Sequence, residues 1–264
     1  LPSNATQPPP RVEVPKGSGE KMKNILNCLP DDRRRAYDIR KIMECFVDGG
    51  ELFELKKNFG RSAVTTLARI DGRSVGIVGN NTMFLAGALD AEACEKISSF
   101  LVLCDSYNIP IIMLVDTPGF MIGKEGERRK VTGKIINFMN AVTLVTVPKI
   151  TIIIRKTYGQ AFLNMGGGRH SDTIVAWPTA EISFMDPETS VNVVYNLKKE
   201  DDPEKFAEKF KIMNLDTEPW GAAGIFNMND IIEPSKTREW LINMMEYHHD
   251  YQAGGIGKHL MHCW

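Results

Sequence analysis

The chain has 264 residues, of which 43% are hydrophobic and 25% charged, a composition typical of a globular protein with a full core. Its formal net charge of −1 argues against a protein that binds the phosphate backbone of a nucleic acid. No apolar run reaches the length of a membrane span, so we expect no membrane partner.

The first 20 residues have the composition of a linker. Prolines at 8–10 and 15 and the run Gly17-Ser18-Gly19 disfavour a helix or a strand. We therefore expect an extended or disordered linker over 1–20 and an ordered domain over 21–250. Beyond 250 the apolar periodicity decays around a glycine-rich stretch, which predicts a flexible tail over 251–264.

The first half of the domain alternates between helical and strand patterns. Asp71-Gly72 separates two strand-like runs and predicts a tight hairpin. Asp90 is a suitable N-cap for the helix that follows. In chain order, the predicted elements are a helix over 37–45, strands over 53–55, 64–70 and 75–78, and a helix from 91 to about 107.

Strand, turn and helix continue to alternate through the second half. The run Ile109–Val115 is apolar throughout, which is typical of a strand buried on both faces. This alternation predicts a layered α/β fold with parallel strands, in which 147–154 is a central strand. The remaining predicted elements are helices over 132–143, 204–212 and 236–247, and strands over 149–154, over 181–185 and ending at 231–234.

The segment Arg155–Phe162 follows the β-branched strand directly and contains Gly159. We predict that the strand ends at Ile154, that Gly159 turns the backbone, and that a helix begins at once. Such a junction points free backbone N–H groups at one spot beside a helix N-terminus. These groups stabilise a developing oxyanion without a special side chain. The rest of the sequence offers no convincing side-chain catalytic set.

Three other motifs suggest chemistry but lack its requirements. Asp116-Thr117-Pro118-Gly119 resembles a GTPase DxxG motif, yet no GxxxxGK[ST] loop accompanies it, so we interpret it as a strand-terminating turn. Triad members rarely adjoin in sequence, so His170-Ser171-Asp172 is interpreted as a loop. Gly166–Gly168 lacks a phosphate-binding fingerprint and is interpreted as a turn that permits close backbone approach.

The charged and metal-ligating clusters have plain interpretations. Arg33–Arg35 and Arg128–Lys130 are interpreted as solvated helix faces, with a contact to an anionic ligand or partner as the alternative. Histidines at 248, 249, 259 and 262 and the cysteine at 263 surround the predicted tail, so we expect no metal in this domain. The five cysteines form no CxxC pair, which favours reduced thiols and a cytoplasmic location, with the mitochondrial matrix as an alternative.

A series of short motifs extends from residue 1 to about 247. They are Leu1–Asn4, Pro8–Arg11, Ser74–Asn80, Leu85–Asp90, Asn108–Pro110, Val115–Phe120, Val147–Lys149, Arg155–Phe162, Ala176–Ile182, Ala222-Ala223 and Asp230–Pro234. Singly none is specific. In this order they resemble the carboxyltransferase β subunits of biotin-dependent acyl-CoA carboxylases, such as the propionyl-CoA and methylcrotonoyl-CoA enzymes.

This resemblance implies an α/β fold of the ClpP/crotonase type, built of ββα units. It also implies that the chain is the C-terminal half of a subunit, so that an N-terminal carboxyltransferase half completes the active site. The implied partners are biotin carboxyl carrier protein and biotin carboxylase, and the implied substrate is an acyl-CoA. The implied cofactor is biotin, as carboxybiotin on its carrier, and the assembly is a dimer-based oligomer or a hexamer.

The resemblance also assigns roles to residues 158–163. In the family, carboxybiotin releases CO₂ and then takes the α-proton of the acyl thioester, so backbone donors suffice on the protein. By motif position, the backbone N–H groups of Gln160 and Ala161 would hold the ureido oxygen of biotin. We accordingly predict Gly159, Gln160 and Ala161 as catalytic residues, and Tyr158, Phe162 and Leu163 as residues that bind the cofactor.

Several departures from the family pattern leave alternatives open. The family usually has a second glycine where Gln160 stands, and the segments 127–134 and 166–170 also differ. The acyl substrate and the reaction direction therefore stay open, although Leu163 favours an apolar acyl group. The alternatives are a biotin-dependent acyl-CoA decarboxylase α chain, a crotonase-fold hydratase or isomerase, and a non-catalytic assembly module. The apolar segment 220–226 would supply either a subunit contact or core packing.

Overall fold

A computed structural model describes residues 1–215, 217–225, 227–248 and 255–259. Within these residues eight strands form one sheet. The strands are β1 (Phe53–Leu55), β2 (Ala63–Ile70), β3 (Arg73–Asn80), β4 (Ile111–Thr117), β5 (Lys149–Tyr158), β6 (Thr173–Ala176), β7 (Glu181–Ser183) and β8 (Asp230–Ile231). Their order is β1-β2-β3-β4-β5-β6-β8, and β7 pairs with β5.

Helices connect the strands and cover the sheet. The α-helices are α1 (Ile39–Phe46), α2 (Ala91–Ser106), α3 (Lys124–Arg128), α4 (Val131–Leu144), α5 (Gly159–Asn164), α6 (Pro187–Tyr195), α7 (Pro203–Leu215), α8 (Pro219–Gly224) and α9 (Thr237–Tyr247). Short 3₁₀ helices cover Glu20–Cys28, Asp48–Gly50, Leu85–Gly87 and Pro234–Lys236.

The sheet begins antiparallel and becomes parallel. β2 and β3 form the predicted hairpin, with Asp71 and Gly72 at φ values of 53° and 73°, as a two-residue turn of this kind requires. From β3 onward neighbouring strands run parallel, because helices return the chain to the same end of the sheet. The hairpin and α2 make one ββα unit, whereas β4 and β5 are each followed by helices without a second strand.

The sheet separates two hydrophobic cores, and β4 contributes to both. Ile111, Met113 and Val115 lie in the core beneath α2 and α4, while Ile112 and Leu114 lie in the core with α1 and α9. Alternate side chains of a strand point to opposite faces. The unbroken apolar run of this strand is therefore explained by burial on both faces, as predicted.

The most consequential difference from the sequence prediction is the length of β5. We predicted that this strand ends at Ile154, and this is wrong because the strand continues to Tyr158. The added residues have two partners: Thr157 pairs with Thr117 of β4, and Lys156–Tyr158 pair with β7. A strand reaches further when a new neighbour satisfies its backbone groups. β5 thus lies between neighbours on both sides, which confirms it as a central strand.

The other predicted elements agree with the structure to within a few residues, but four elements besides the 3₁₀ helices were not predicted. These are the four-residue strand β6 and the helices α3, α6 and α8. β4 also begins two residues later than the predicted strand, at Ile111. Short elements of this kind carry too few residues for a clear period.

Both terminal segments of the described chain contact the same residue of the domain. Asn108 donates its side-chain N–H groups to the carbonyl oxygens of Ala5 and Gln7, at 2.7 and 2.9 Å. It also accepts a hydrogen bond from the backbone N–H of Gly257 at 3.2 Å. The segment 1–19 contains no helix or strand, in line with a linker composition. The flexible tail stays a prediction.

Lys96 of α2 is a cation that lies buried inside the domain. Its side chain is 1% exposed, and its ammonium donates to the carbonyl oxygen of Ala63 at 2.8 Å. Burial lowers the pKa of Lys96 from 10.5 to about 8, because the charged form loses its hydration. Between these two values the folded chain binds fewer protons than the unfolded chain, so its stability rises with pH there.

We expect Lys96→Met to remove this rise. Urea denaturation of wild type and Lys96→Met at pH 7, 8, 9 and 10 measures how stability changes with pH. Every other titrating group is common to the two proteins, so the difference between them reports on Lys96. The variant should be the more stable by roughly 1–3 kcal/mol at pH 7 and should lose that advantage by pH 10. Parallel stability curves for the two proteins would show that Lys96 does not titrate in this range.

Candidate active site

The Gly159 turn lies where β5 gives way to α5. Gly159 is the first residue of α5 and has a φ of +58°, a backbone conformation that side chains with a Cβ rarely adopt. A Cβ added at this position would lie 3.0 Å from the carbonyl oxygen of Phe184. Both the dihedral angle and the space therefore require glycine here, and the predicted turn and helix are both present.

The first N–H groups of α5 have no acceptor within the helix, as at any helix start. The N-cap residue, Tyr158, makes no side-chain capping bond. Gln160 is exposed and Ala161 is fully buried, so the donors lie at the boundary between core and surface. The Gln160 side-chain amide donates forward along the helix to Oδ1 of Asn164 at 3.0 Å. At the start of this helix, the groups that can bind a ligand are therefore the backbone N–H donors.

Phe162 and Leu163, the predicted cofactor contacts, pack on the glycine cluster that follows α5. A Cβ added at Gly167 would lie 2.4 Å from the ring of Phe162, and one added at Gly168 would lie 2.5 Å from Leu163. Both side chains are half-buried. The interpretation of these glycines as a turn that permits close approach is confirmed. A contact of Phe162 or Leu163 with a cofactor stays a prediction.

Tyr158, the residue before the Gly159 turn, is held by two hydrogen bonds of its hydroxyl group. Its hydroxyl donates to Oε2 of Glu181 at 2.6 Å and accepts from Nη2 of Arg33 at 3.0 Å. Burial, and then the neighbouring Glu181 carboxylate, raise the pKa of the Tyr158 phenol well above its ordinary value. The ring is 2% exposed. The side chain of Tyr158 is therefore occupied within the protein, and its predicted role at the cofactor stays a prediction.

A buried ion pair joins β4 and β5 near their ends, four residues before Gly159. Nε of Arg155 donates to Oδ2 of Asp116 at 2.9 Å, and the two side chains are 4% and 0% exposed. Asp116 Oδ1 also accepts from the backbone N–H of Lys156 at 3.2 Å. Burial lowers the pKa of Lys156, while the Asp116 carboxylate opposes that shift. The pair explains why a strand with two cations at its end can stay buried.

Sequence reasoning missed the roles of Asp116 and Arg33. Asp116 is the buried penultimate residue of β4 and not merely part of a turn. The interpretation of Arg33–Arg35 as a helix face is wrong, because these residues form a turn between the first 3₁₀ helix and α1. A signal was present for the pair, since acidic and basic residues each follow an apolar run at the end of neighbouring parallel strands. The arginine cluster gave no such signal.

The remaining candidates do not assemble into a second site. His170 Nδ1 contacts the carbonyl oxygen of Gly167, Ser171 bonds to Thr151, and Asp172 accepts from the backbone N–H of Lys149. This confirms the loop interpretation of His170–Asp172. Arg129, at the end of α3, pairs with exposed Glu125 and Glu92, in line with a solvated helix face.

The described residues contain no group of three His, Cys, Asp or Glu side chains that could hold a metal ion. His248 contacts Thr173, and His259 contacts the Asp105 carboxylate at 3.3 Å, whereas 249, 262 and 263 lie outside the described residues. The four cysteines within the described part of the chain are free thiols. No helix in that part is long and apolar enough to cross a membrane.

Comparisons with known proteins place this geometry in a family. Residues 1–254 match the carboxyl transferase domain. The carboxyltransferase subunit of propionyl-CoA carboxylase from Haloferax mediterranei is 38% identical over 92% of this chain and 48% of its own length. The methylmalonyl-CoA decarboxylase subunit alpha from Veillonella parvula is 35% identical over 93% of this chain and 48% of its own length.

A solved structure gives the same result. The structure of the transcarboxylase 12S hexamer with methylmalonyl-coenzyme A and methylmalonic acid bound superimposes with a TM-score of 0.88 and 34% identity. The superposition covers 95% of this chain and 49% of that one. The chain thus spans about half the length of the relatives it matches. It belongs to the carboxyl transferase domain family and has the crotonase-like α/β fold that the sequence motifs indicated.

Proposed function

We propose that this chain is the C-terminal carboxyltransferase domain of a biotin-dependent acyl-CoA carboxylase. The proposed reaction transfers a carboxyl group from carboxybiotin to the α-carbon of an acyl-CoA. The observation that carries this proposal is the left-handed Gly159 turn, which begins a helix with no side-chain cap at the end of a central strand. A match to the carboxyl transferase family over almost the whole chain supports it.

The residues at the turn fit the ureido group of biotin. That group is flat and carries one carbonyl oxygen, so it needs closely spaced donors and little bulk around them. Gly159 has no Cβ, the small side chain of Ala161 is buried, and the Gln160 amide is tied to Asn164. Biotin supplies the carboxyl group and the acceptor for the substrate α-proton. The Gln160 and Ala161 N–H groups would hold the ureido oxygen and stabilise negative charge there.

The chain's own residues keep this donor pair in place. Tyr158 fixes the last residue of β5, and the pair of Asp116 and Arg155 fixes the strand before it. Preorganised donors are effective because they need no reorientation during the reaction. A cytoplasmic location, with the matrix as alternative, remains part of this proposal, as do carrier protein and biotin carboxylase as partners.

The proposal includes an N-terminal half as a necessary partner, because relatives of this chain are about twice as long. Large apolar side chains near the proposed site and on α6 and α8 are exposed. They are Phe184 at 83%, Val193 at 64%, Val194 at 61%, Trp220 at 61% and Ile225 at 74%. Exposed apolar patches of this kind favour a protein interface. Trp220 and Ile225 support the predicted subunit contact, and Phe226 lies outside the described residues.

A decarboxylase that transfers carboxyl groups from acyl-CoA to biotin is the second candidate. The 35% identity to a methylmalonyl-CoA decarboxylase subunit favours keeping it. The same donor pair would serve both directions, since it stabilises charge on biotin either way. Assays in both directions decide between the two.

We expect the chain alone to transfer no carboxyl group and the mixture with its N-terminal half to be active, because half of the proposed site is missing. The assay follows ¹⁴C-carboxyl transfer from carboxylated carrier protein to propionyl-CoA, with acetyl-CoA and a longer acyl-CoA for comparison. Heat-denatured chain with the same N-terminal half is the control. Transfer at full rate by the isolated chain, or none by a folded mixture with any acyl-CoA tested, would contradict the proposal.

A further inference from the structure

We propose that Arg33 is a positioning residue that locks the Gly159 turn, and this inference rests on the proposed function. Arg33 lies 125 residues before Tyr158 in the chain and contacts the turn from a separate segment. Its role is to hold the N-cap residue of α5, and so to set the direction of the backbone donors at Gln160 and Ala161.

One guanidinium nitrogen makes three of the contacts. Nη2 of Arg33 lies 3.0 Å from the Tyr158 hydroxyl, 3.0 Å from Oδ2 of Asp186 and 3.2 Å from Oε2 of Glu181. Nη1 donates to Oδ1 of Asn214 at 3.3 Å. Hydrogen bonds that involve ionised groups are stronger than neutral ones. The side chain is 27% exposed, so solvent screens these bonds only in part.

The four contacts join four separate elements. Tyr158 ends β5, Glu181 begins β7, Asp186 is the N-cap of α6, and Asn214 lies near the end of α7. Without the Arg33 side chain, the carboxylates of Glu181 and Asp186 would lie near each other with no cation between them. The guanidinium donates to the phenol and to Asp186, and its positive charge also pairs with Glu181. An ammonium group is a single compact charge and would lose the separate contact that Nη1 makes with Asn214.

The backbone around Arg33 is also tied to β5. Nζ of Lys156 lies 3.4 Å from the carbonyl oxygen of Arg33, and Nη2 of Arg155 donates to the carbonyl oxygen of Arg35 at 3.2 Å. The turn that carries Arg33 is therefore held against the strand that carries the donors. This attachment through both side chain and backbone distinguishes Arg33 from Arg34, whose side chain is 70% exposed and pairs with Glu188.

The test compares Arg33→Gln with Arg34→Gln as the matched control, in enzyme reconstituted with the N-terminal half. A displaced donor pair weakens transition-state stabilisation, so Arg33→Gln should lower kcat for carboxyl transfer about 10- to 100-fold. The KM for acyl-CoA should stay within about twofold, since Arg33 is proposed to act on the donors for biotin. Arg34→Gln should keep kcat within about twofold. Arg33→Lys should recover only part of the loss.

A double-mutant cycle tests whether Arg33 acts on kcat through Tyr158. Arg33→Gln and Tyr158→Phe should lower kcat together by about as much as the larger single change, because both break the same link. Additive losses in kcat would overturn the proposal. A loss in Arg33→Gln that appears in KM alone would overturn it as well.

Hydrogen exchange gives a readout that does not need activity. The backbone N–H of Met165 donates to Ala161, and that of Gly167 donates to Phe162, so exchange of the peptide 159–167 reports on α5. Arg33→Gln should raise that exchange about tenfold, and Arg34→Gln should not. Equal exchange in the two variants would overturn the proposal, and so would faster exchange with unchanged kcat. Absence of transfer in wild type would instead overturn the proposed function, while the exchange difference would still report the hold of Arg33 on the turn.

Discussion

Gly159→Val should lower the rate of carboxyl transfer by about 100–1,000-fold in reconstituted enzyme, the loss that follows removal of one oxyanion donor. A β-branched residue cannot adopt the φ of +58° without strain, and its Cβ would approach the Phe184 carbonyl oxygen. The backbone must then rotate, which turns the Gln160 and Ala161 N–H groups away from the ureido oxygen. Single-turnover transfer from carboxylated carrier protein measures the loss directly.

Gln160→Gly is the matched control for this change. Only the backbone of Gln160 is used in the proposed mechanism, since its amide is engaged with Asn164. We therefore expect a change of less than about threefold in rate. Urea denaturation must show that both variants are folded, and Gly159→Ala serves as a gentler replacement if the valine variant unfolds. If Gln160→Gly abolishes transfer while Gly159→Val leaves it intact, the side chain of Gln160 is the catalyst.

Asp116→Ala should destabilise the chain by about 3–5 kcal/mol, the cost of leaving one partner of a buried ion pair alone. The Arg155 side chain would remain in a site where it is only 4% exposed, with its Nε donor unsatisfied. The backbone N–H of Lys156 would lose its acceptor as well. The midpoint and slope of urea unfolding at pH 7 give the loss in free energy.

The double variant Asp116→Leu with Arg155→Met is the control for this second prediction. Replacing both charges by apolar groups of similar volume removes the unpaired charge and should recover most of the lost stability. A double variant as unstable as Asp116→Ala would mean that the Asp116 contacts to the backbone, rather than its pairing with Arg155, determine the cost.

Much of the fold could be predicted from local patterns. The hairpin at Asp71-Gly72, the N-cap at Asp90 and the doubly buried β4 each follow from a few neighbouring residues, and all are present. The strand β6 has only four residues, too few to establish a period. α6 could have been found, because Asp186 followed by Pro187 is a typical N-cap and first helical residue.

The candidate site also contains some residues that local sequence predicts and others that it does not. Gly159 and the helix after it were predictable, because a glycine between a strand and a helical pattern is a local signal. The continuation of β5 to Tyr158 was not, since it depends on β7, which lies more than 20 residues further along the chain. Arg33 depends on contacts across 125 residues and more. No local pattern can reveal a partner at that distance.

The proposed use of main-chain donors at Gln160 and Ala161 has a consequence for which substitutions the turn can accept. A substitution at 160 changes an exposed side chain, while the proposed donor is the N–H of the peptide bond. A substitution at 159 changes the direction of that peptide, because residues with a Cβ rarely adopt its φ of +58°. The turn can therefore accept different side chains at 160 and keep the proposed donor, whereas position 159 is restricted to glycine.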